Sequence, residues 1–491
     1  MNPERPFSQE LWDETPAAVQ DYIRTIEARV AALETVVQRL EATVQQLTER
    51  LQQDSRTSSR PPSSDPPQAL GKRPRREPSG RRPGGQPGHE GQTRALVPSD
   101  TVDVVVPIKP ERCHHCQHPL QGEDSQPQRH QVTEIPPVKP VVIEYQLHRL
   151  VCLACGEATR AELPPGVPTG GFGPRVQATT ALCTGAYHLS KRTVQALLED
   201  LFGVSLGLGT IANLEQATTQ AVAEAVAEAR VYVQTQPAAY ADETGWREGP
   251  QRAWLWTAVT TGVTVFVVRL SRSAKVAQEL LGEQFWGWLV TDRWSAYTWY
   301  PTWRRQLCWA HLLRDIEAMI QRGGRSAEIG EALQAQAHQM FHWWHRVRDG
   351  TLTHASFKTY MQPIRWEVER LLEAGQTCGA PKTAGTCRQI LKLRQALWTF
   401  VRHEGVEPTN NTAERAIRPG VLWRKGSFGT QSADGSRFVE AMMTVVATLK
   451  QQHRNVLDYL TVACQAALCG EPAPSLRPTP DHLKQLMRLA A

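Results

Sequence analysis

Three acidic side chains of this 491-residue chain occupy positions suited to metal binding. Asp242 interrupts an apolar run that is predicted to be a strand, and Asp292 directly follows a second such run. Glu414 lies in a segment predicted to form a short helix. A carboxylate that emerges from a buried strand loses hydration, which a cation can restore. The three acids are therefore candidate metal ligands.

Carboxylates from two strands and one helix suit Mg²⁺ or Mn²⁺. Two such ions, about 3.5–4 Å apart, activate an attacking oxygen and stabilise a leaving one in phosphoryl transfer. Taken singly, each acid also has an ordinary explanation. Asp242 could cap a turn, and Asp292 could pair with Arg293. Glu414 could pair with Arg418, one helical turn away. The order strand, strand, helix favours the metal site.

Hydrophobic periodicity places these acids in a mixed region that begins at Pro237. Strands are predicted over residues 238–247, 253–260, 263–270, 285–291 and 305–308, and a helix over 273–281. Residues 309–400 have a helical pattern, and further helices are predicted near 410–418, 436–453 and 456–468. Thr409 or an adjacent Asn should cap the helix that holds Glu414, and Pro419 should end it.

Two cysteine pairs predict a structural zinc site. Cys113 and Cys116 form one CxxC pair, and Cys152 and Cys155 form the other. Each two-residue gap lets both thiolates face one ion, and four sulfurs close a tetrahedral shell. The N-terminus lacks a secretory signal, so we expect a reducing compartment in which disulfides are disfavoured. This zinc should support folding and not catalysis, because no coordination position stays open.

Residues 1–53 contain the most regular apolar repeat of the chain. Its members follow at spacings of three and four: Ile23, Ile26, Val30, Leu33, Val37, Leu40, Val44, Leu47 and Leu51. Mainly β-branched residues at position a and Leu at d favour a parallel two-stranded coiled coil, in which Arg29 and Glu34 could pair between chains. The alternative is an amphipathic helix packed on its own domain.

Residues 54–98 should form a flexible basic linker. Nearly half of residues 54–95 are Pro, Gly or Ser, and nine basic residues face four acidic ones. The segment is either a solvated linker or an arm that neutralises DNA phosphates. The candidate DNA contacts are Arg73, Arg75, Arg76, Arg81 and Arg82.

The next two segments connect this linker to the predicted strands. Residues 99–165 hold the cysteine pairs among short strand-like runs and form the predicted zinc-binding module. Residues 166–236 are helical in pattern, and a Gly-containing turn near 203–209 separates two of the helices. That pattern fits a helix-turn-helix and an ordinary helical hairpin equally well.

Composition limits the class of protein. A hydrophobic fraction of 41%, a net charge of +6 and the lack of a signal peptide are typical of a soluble cytoplasmic protein. The most apolar window, residues 253–270, contains four Thr and a Thr-Gly step, which favours a hairpin over a membrane span. We therefore expect no membrane association.

Long sequence blocks resemble those of the IS66 family of bacterial insertion-sequence transposases. These blocks are PGGQPGHEGQ, ADETGWR, TDRWSAY, CWAHLLRD, EPTNNTAERAIRP and GSFGTQSADGSRFVEAMMT. With the cysteine quartet and the zipper-like N-terminus, the resemblance covers nearly the whole chain. It implies a DDE triad at Asp242, Asp292 and Glu414.

The resemblance also implies a multidomain α+β fold around an RNase H-like α/β core. The core would comprise residues 237–312 and 401–455, with a helical insertion at 313–400 and a helical tail at 456–491. The implied activity is metal-dependent cleavage at insertion-sequence ends and transfer of the 3′-hydroxyl into target DNA, with two Mg²⁺ (or Mn²⁺) per active site and a structural Zn²⁺.

The implied partners are double-stranded DNA, a second copy of the chain or a higher assembly joined by the coiled coil, and accessory proteins encoded by the element. The protein would associate with the nucleoid when bound to DNA. Candidate DNA contacts near the metals are Arg415, Arg418, Lys425 and His311. Two alternatives stay open: an RNase H-like nuclease without strand transfer, and a domesticated DNA-binding protein without catalysis. The intact acids argue against the second.

Overall fold

A computed structural model describes residues 9–52 and 94–483 of the chain. Helices and two sheets give these residues a mixed α+β structure. Most of the basic linker predicted over residues 54–98 lies outside the described residues. So do its candidate DNA contacts, Arg73, Arg75, Arg76, Arg81 and Arg82.

The N-terminal region is helical. Helix α1 spans Gln9–Asp13 and α2 spans Ala17–Gln52. Ile23 is half-buried, and the seam residues from Ile26 to Val44 are exposed within the single chain, from 41% at Ile26 to 63% at Leu33. The last two seam side chains, those of Leu47 and Leu51, lie outside the described part. An exposed apolar stripe of this length is unusual on a helix that has no partner.

The cysteine region contains little regular structure. Strand β1 (Arg149–Val151) pairs antiparallel with β2 (Ala158–Arg160), and Arg112 forms a single bridge with Pro119. Most of the other strand-like runs predicted there are wrong. Their apolar residues stay exposed, for example 74% at Val104, so no buried sheet face stabilises strand pairing.

Four helices lie between the cysteine region and the main sheet: α3 (Pro174–Gly185), α4 (Lys191–Phe202), α5 (Leu208–Ala221) and α6 (Ala223–Gln234). The Ser190 hydroxyl caps α4 by accepting the Thr193 N–H at 3.1 Å. Gly203, with a φ of 66°, ends α4 in the left-handed conformation that glycine favours. The predicted pair of helices joined by a glycine-containing turn is therefore present.

A five-stranded sheet forms the centre of the chain. Its strands are β3 (Ala238–Glu248), β4 (Gln251–Val259), β5 (Thr264–Arg269), β6 (Trp288–Thr291) and β7 (Arg305–Leu307). Their order is β5-β4-β3-β6-β7. Strands β3 to β5 form an antiparallel meander, whereas β6 pairs parallel to β3 and β7 parallel to β6. Strand β6 begins at Trp288, later than the predicted start at residue 285. Just before it, Gly287 passes so close to Gln236 that a Cβ would lie 2.4 Å from the Gln236 carbonyl oxygen.

Helices cover both faces of this sheet. One face packs against α3, α6, α7 (Ala274–Leu281), α14 (Ala433–Gln451) and α15 (Val456–Leu468). The predicted insertion forms α8 (Trp309–Gln321), α9 (Gly324–Arg348), α10 (His354–Gly375), α11 (Pro381–Lys392) and α12 (Thr399–Arg402). Its core is continuous with Val290 on β6 and Leu307 on β7. The insertion is therefore packed on the sheet.

Helix α14 also covers the open edge of β5. Its Thr448 and Thr444 hydroxyls accept the N–H groups of Thr264 and Phe266 at 3.1 and 3.0 Å, and Glu440 accepts a third. Acceptors four residues apart on the helix match donors two residues apart on the strand, because a helical turn is nearly as long as two strand residues. The arrangement protects an edge that would otherwise pair with another chain.

Helix α13 spans Asn411–Ser427, so the prediction that Pro419 ends it is wrong. Pro419 removes one helical hydrogen bond. Packing of the next residue compensates, since a Cβ on Gly420 would lie 2.4 Å from the Leu255 side chain of β4. The N-cap residue is Asn410, as the prediction of Thr409 or an adjacent Asn allows, but its side chain makes no capping hydrogen bond.

Candidate metal centre

Asp242 and Asp292 lie side by side at one end of the sheet. Tyr240 on β3 pairs in parallel register with Val290 on β6, and each aspartate lies two residues further along its strand. Strand alternation therefore directs both side chains to the same face. The Asp292 carboxylate accepts the Trp294 N–H at 2.9 Å, which orients it at the end of β6. Asp242 lies within a strand and does not cap a turn.

Asn410 holds the first turn of α13 against these strands. Its side-chain amide donates to the carbonyl of Ala241, the residue before Asp242, at 2.8 Å. Its backbone N–H donates to the Cys308 thiol at 3.1 Å. Glu414 lies one turn along this helix, so the contact sets its position relative to Asp242. Asn410 is fully buried, and its role was not predicted from the sequence.

The charges of Asp292 and Glu414 both act on Asp242, although the ligand atoms of the three acids are not gathered within 4.8 Å in the described chain. Burial raises the pKa of Asp242 well above its ordinary value of 3.8, and the negative charges of Glu243, Asp292 and Glu414 raise this pKa further. Like charges held close together in a partly buried site oppose ionisation. A divalent cation would reverse this effect, which is the behaviour expected of metal ligands.

Glu414 also lies close to a histidine and a cysteine. Among the described residues, one group of three potential ligands has its atoms within 4.8 Å of one another: Cys308, His311 and Glu414. The His311 Nδ1 lies 3.4 Å from the Glu414 Oε1, and both atoms are buried without a hydrogen-bond partner. Burial raises the pKa of Cys308 to about 12, so its thiol is protonated at neutral pH.

We expect the close approach of His311 to help orient Glu414. We expect His311→Ala to weaken Mn²⁺ binding by about 10- to 100-fold, the usual effect of losing a group that orients a metal ligand. His311→Asn, which keeps a donor close to the Nδ1 position, should recover part of the affinity. Mn²⁺ titration followed by electron paramagnetic resonance measures both. Equal affinities for wild type and His311→Ala would contradict this role.

Arg305 places a buried positive charge behind Asp292. Its guanidinium donates to the Thr291 hydroxyl at 2.8 Å and to the Asp292 carbonyl at 2.5 Å. Burial lowers its pKa to about 10, so it stays charged at neutral pH. Sequence reasoning did not single out Arg305; a charged residue within the strand predicted at 305–308 was the signal that could have indicated it.

Glu243 lies on the opposite face of β3 from Asp242. Its buried carboxylate accepts bonds from Arg272 at 2.7 Å and from the Tyr297 hydroxyl at 2.7 Å. The Arg272 guanidinium also stacks on the Trp294 ring, 3.8 Å from its centroid. Since Trp294 binds the Asp292 carboxylate, this network supports the turn that carries the second aspartate. Sequence reasoning did not single it out.

The ordinary ion pairs considered for the acids do not form. Arg293 pairs with Asp315 at 2.7 Å instead of with Asp292. Glu414 approaches His311, and Arg314 at 3.9 Å, instead of Arg418. The candidate DNA contacts Arg415, Arg418 and Lys425 are exposed on α13, and no carboxylate of the described chain lies within 4 Å of them.

The two cysteine pairs form similar turns. The Cys113 N–H donates to the His118 carbonyl at 2.9 Å, and the Cys152 N–H donates to the Glu157 carbonyl at 2.8 Å. Backbone hydrogen bonds within each turn lower the pKa of Cys113 and of Cys152. Each turn is thus prepared to offer a thiolate. The four sulfurs are not gathered within 4.8 Å in the described chain, so the shared zinc ion stays a prediction.

The described residues include no helix with both the length and the apolar character needed to cross a bilayer.

Comparison with known proteins identifies two regions of similarity. A family model described as the IS66 family of transposases matches residues 169–437, more than half of the chain and all three acids. Residues 7–95 match a family of unknown function. The uncharacterized protein y4qI of Sinorhizobium fredii is 26% identical over 256 residues, which is 46% of this chain and 46% of that protein. The chain thus spans about half the length of this curated relative.

Proposed function

Because the chain belongs to the IS66 family of transposases, we propose that it is a DDE-type enzyme that cuts insertion-sequence ends and joins their 3′-hydroxyls to target DNA. The observation that carries this proposal is the placement of Asp242 near Asp292 and Glu414: burial, and then the charges of Glu243, Asp292 and Glu414, raise the pKa of Asp242. The matched region contains all three residues.

The sheet supports an RNase H-like core. An antiparallel meander of three strands, extended by two parallel strands beside its first strand, is the expected arrangement for that fold. The acids follow the predicted order: one within β3, one at the end of β6 and one on α13. Helix α8, which leads from the core into the predicted insertion, packs beside the site and provides His311 and Arg314.

The donor set fits divalent metal ions. Asp242, Asp292 and Glu414 would hold two Mg²⁺ or Mn²⁺, and the buried Glu414 Oε1 without a hydrogen-bond partner suits a ligand role. Such ions, when bound, activate the attacking oxygen and stabilise the leaving oxygen. The protein itself orients the carboxylates through Asn410 and the Trp294 N–H.

DNA would approach along α13. Arg415, Arg418 and Lys425 lack ion-pair partners in the described chain, so their charges are available for phosphates. These contacts position the backbone and carry no base specificity. We propose His311 as a positioning residue for Glu414 and not as a DNA contact.

The zinc-binding module is a further part of the proposal. Cys113 and Cys116, with Cys152 and Cys155, would hold one Zn²⁺ between two similar turns. The many exposed apolar residues around them are consistent with a module that packs fully only when its metal is bound.

We propose that α2 joins two copies as a parallel coiled coil. Leu33→Asp combined with Leu40→Asp should convert a dimer to a monomer, because both replace seam residues with charges. Ala28→Asp, on the outer face of the helix, should leave the dimer intact. Light scattering during size-exclusion chromatography distinguishes the two results. A dimer that survives the double substitution would place the interface elsewhere.

A joining assay tests the proposed function. Purified protein, Mg²⁺, the element's end duplexes and a supercoiled target should give covalently joined product. Cleavage without any joining would instead support an RNase H-like nuclease. DNA binding with neither reaction would support a domesticated protein without catalysis. Omitting or adding the element's accessory proteins shows whether they are required.

A further inference from the structure

The end of α13 carries an aromatic residue in an unfavourable backbone conformation. Phe428 has a φ of 61°, in the left-handed region, and its side chain is 76% exposed. Glycine or asparagine usually occupies this position after a helix, because a side chain crowds the backbone there. Phenylalanine also tends to be buried. Both the backbone and the side chain of Phe428 are therefore in costly positions.

The surrounding chain holds Phe428 in this conformation. Its N–H donates to the Arg424 carbonyl at 2.7 Å, which closes the helix. The next residue, Gly429, lies so close to β3 that a Cβ would be 2.4 Å from the Arg247 carbonyl oxygen. The Thr430 N–H donates to the same oxygen at 2.9 Å. The turn is thus fixed to the sheet, and the phenyl ring points outward. Strain maintained in this way is typical of functional positions.

Phe428 continues the basic stripe of α13. Arg415, Arg418 and Lys425 recur at spacings of three and seven, so they share one exposed side of the helix. Glu414 lies at the start of this helix. Phe428 lies fourteen residues beyond Glu414, a distance of about 21 Å at about 1.5 Å per residue. A row of unpaired cations therefore leads from the metal site to an exposed ring.

We propose that Phe428 is a wedge that inserts against a base-pair step of the DNA bound along α13. This inference rests on the proposed function. The cations would hold the phosphate backbone, and the ring would unstack neighbouring bases, as apolar wedges do in bent DNA. At about 3.4 Å per base pair, the contact falls about six base pairs from the phosphate at the acids. Such distortion would help to present the DNA end to the metal site.

The test uses end duplexes that carry 2-aminopurine at successive positions, because its fluorescence rises when a base unstacks. The full chain with Glu414→Gln keeps the DNA uncut. We expect fluorescence to rise at least about twofold near the sixth base pair. Adding Phe428→Asn should abolish that rise, whereas Phe428→Leu should keep part of it. Tyr187→Ala removes another exposed aromatic residue, outside α13, and should change nothing.

Stability separates a wedge from a structural role. Asparagine tolerates the left-handed conformation, so Phe428→Asn should leave the unfolding temperature unchanged or raise it while the DNA signal is lost. If Phe428→Asn lowers the unfolding temperature and also abolishes the fluorescence rise, Phe428 has a structural role and the wedge is overturned. If the Glu414→Gln chain binds the duplex with the same fluorescence whether or not Phe428→Asn is added, the wedge is overturned and the proposed function is unaffected. Failure of the Glu414→Gln chain to bind the end duplex overturns both this inference and the proposed function.

Discussion

Asp242→Asn should lower the rate of DNA cleavage and joining by at least about a thousandfold, because the metal site loses a charged ligand. Glu414→Gln should have an effect of similar size. Glu404→Gln, an exposed acid outside the cluster, is the matched control and should keep the wild-type rate. Single-turnover kinetics with excess protein measure all three. Wild-type rates for both cluster variants would show that the triad is assigned wrongly.

The same substitution should stabilise the metal-free protein. The folded state raises the pKa of Asp242, so it binds that proton more tightly than the unfolded state does. The stability of the wild type therefore falls as pH rises from the ordinary value near 3.8 through the raised pKa. Asp242→Asn removes the ionisable group and with it this loss of stability. In EDTA at neutral pH, the unfolding temperature of the variant should therefore exceed that of the wild type. A lower unfolding temperature would contradict the repulsion inferred for the cluster.

Replacing Cys113 and Cys152 by serine should remove zinc from the protein. Each substitution takes one thiolate from a different turn, and the remaining two sulfurs cannot close a tetrahedral shell. Elemental analysis should fall from about one zinc per chain to none. Cys469→Ser, at an exposed cysteine outside the pairs, should leave the zinc content unchanged. Unchanged zinc in the double variant would refute the zinc site.

Loss of zinc should also make residues 99–165 less ordered. Their apolar side chains are exposed and form no extensive core, so metal ligation is the main interaction available to order them. Protease digestion should therefore cut this region faster in the double variant than in wild type. Equal digestion would mean that other contacts hold the module together.

The spacing of apolar residues along the chain predicted individual strands and helices. Apolar runs placed the strands that hold Asp242 and Asp292 to within a few residues, and α15 was predicted with its observed bounds, Val456–Leu468. In these elements a buried face imposes a clear period on the sequence. The prediction for Pro419 was wrong because it relied on helix propensity, which the close packing of Gly420 overrides.

Contacts between distant segments could not be predicted from the sequence. His311 and Glu414 are about a hundred residues apart, and their meeting depends on how α8 and α13 pack at the sheet. The same is true of Asn410 and Ala241. The metal ligands were thus recognisable from their positions on strands and a helix, whereas the residues that orient them required the tertiary structure.

Metal-ion rescue tests the central claim most directly. Asp292→Cys replaces a carboxylate with a thiolate, which Mg²⁺ binds poorly and the softer Mn²⁺ accepts more readily. If Asp292 is a metal ligand, this variant should be inactive in joining with Mg²⁺ and should recover part of its activity with Mn²⁺. Asp292→Asn should stay inactive with both ions. Equal activity of Asp292→Cys with the two ions, or recovery by Asp292→Asn as well, would contradict a metal-binding role for this carboxylate.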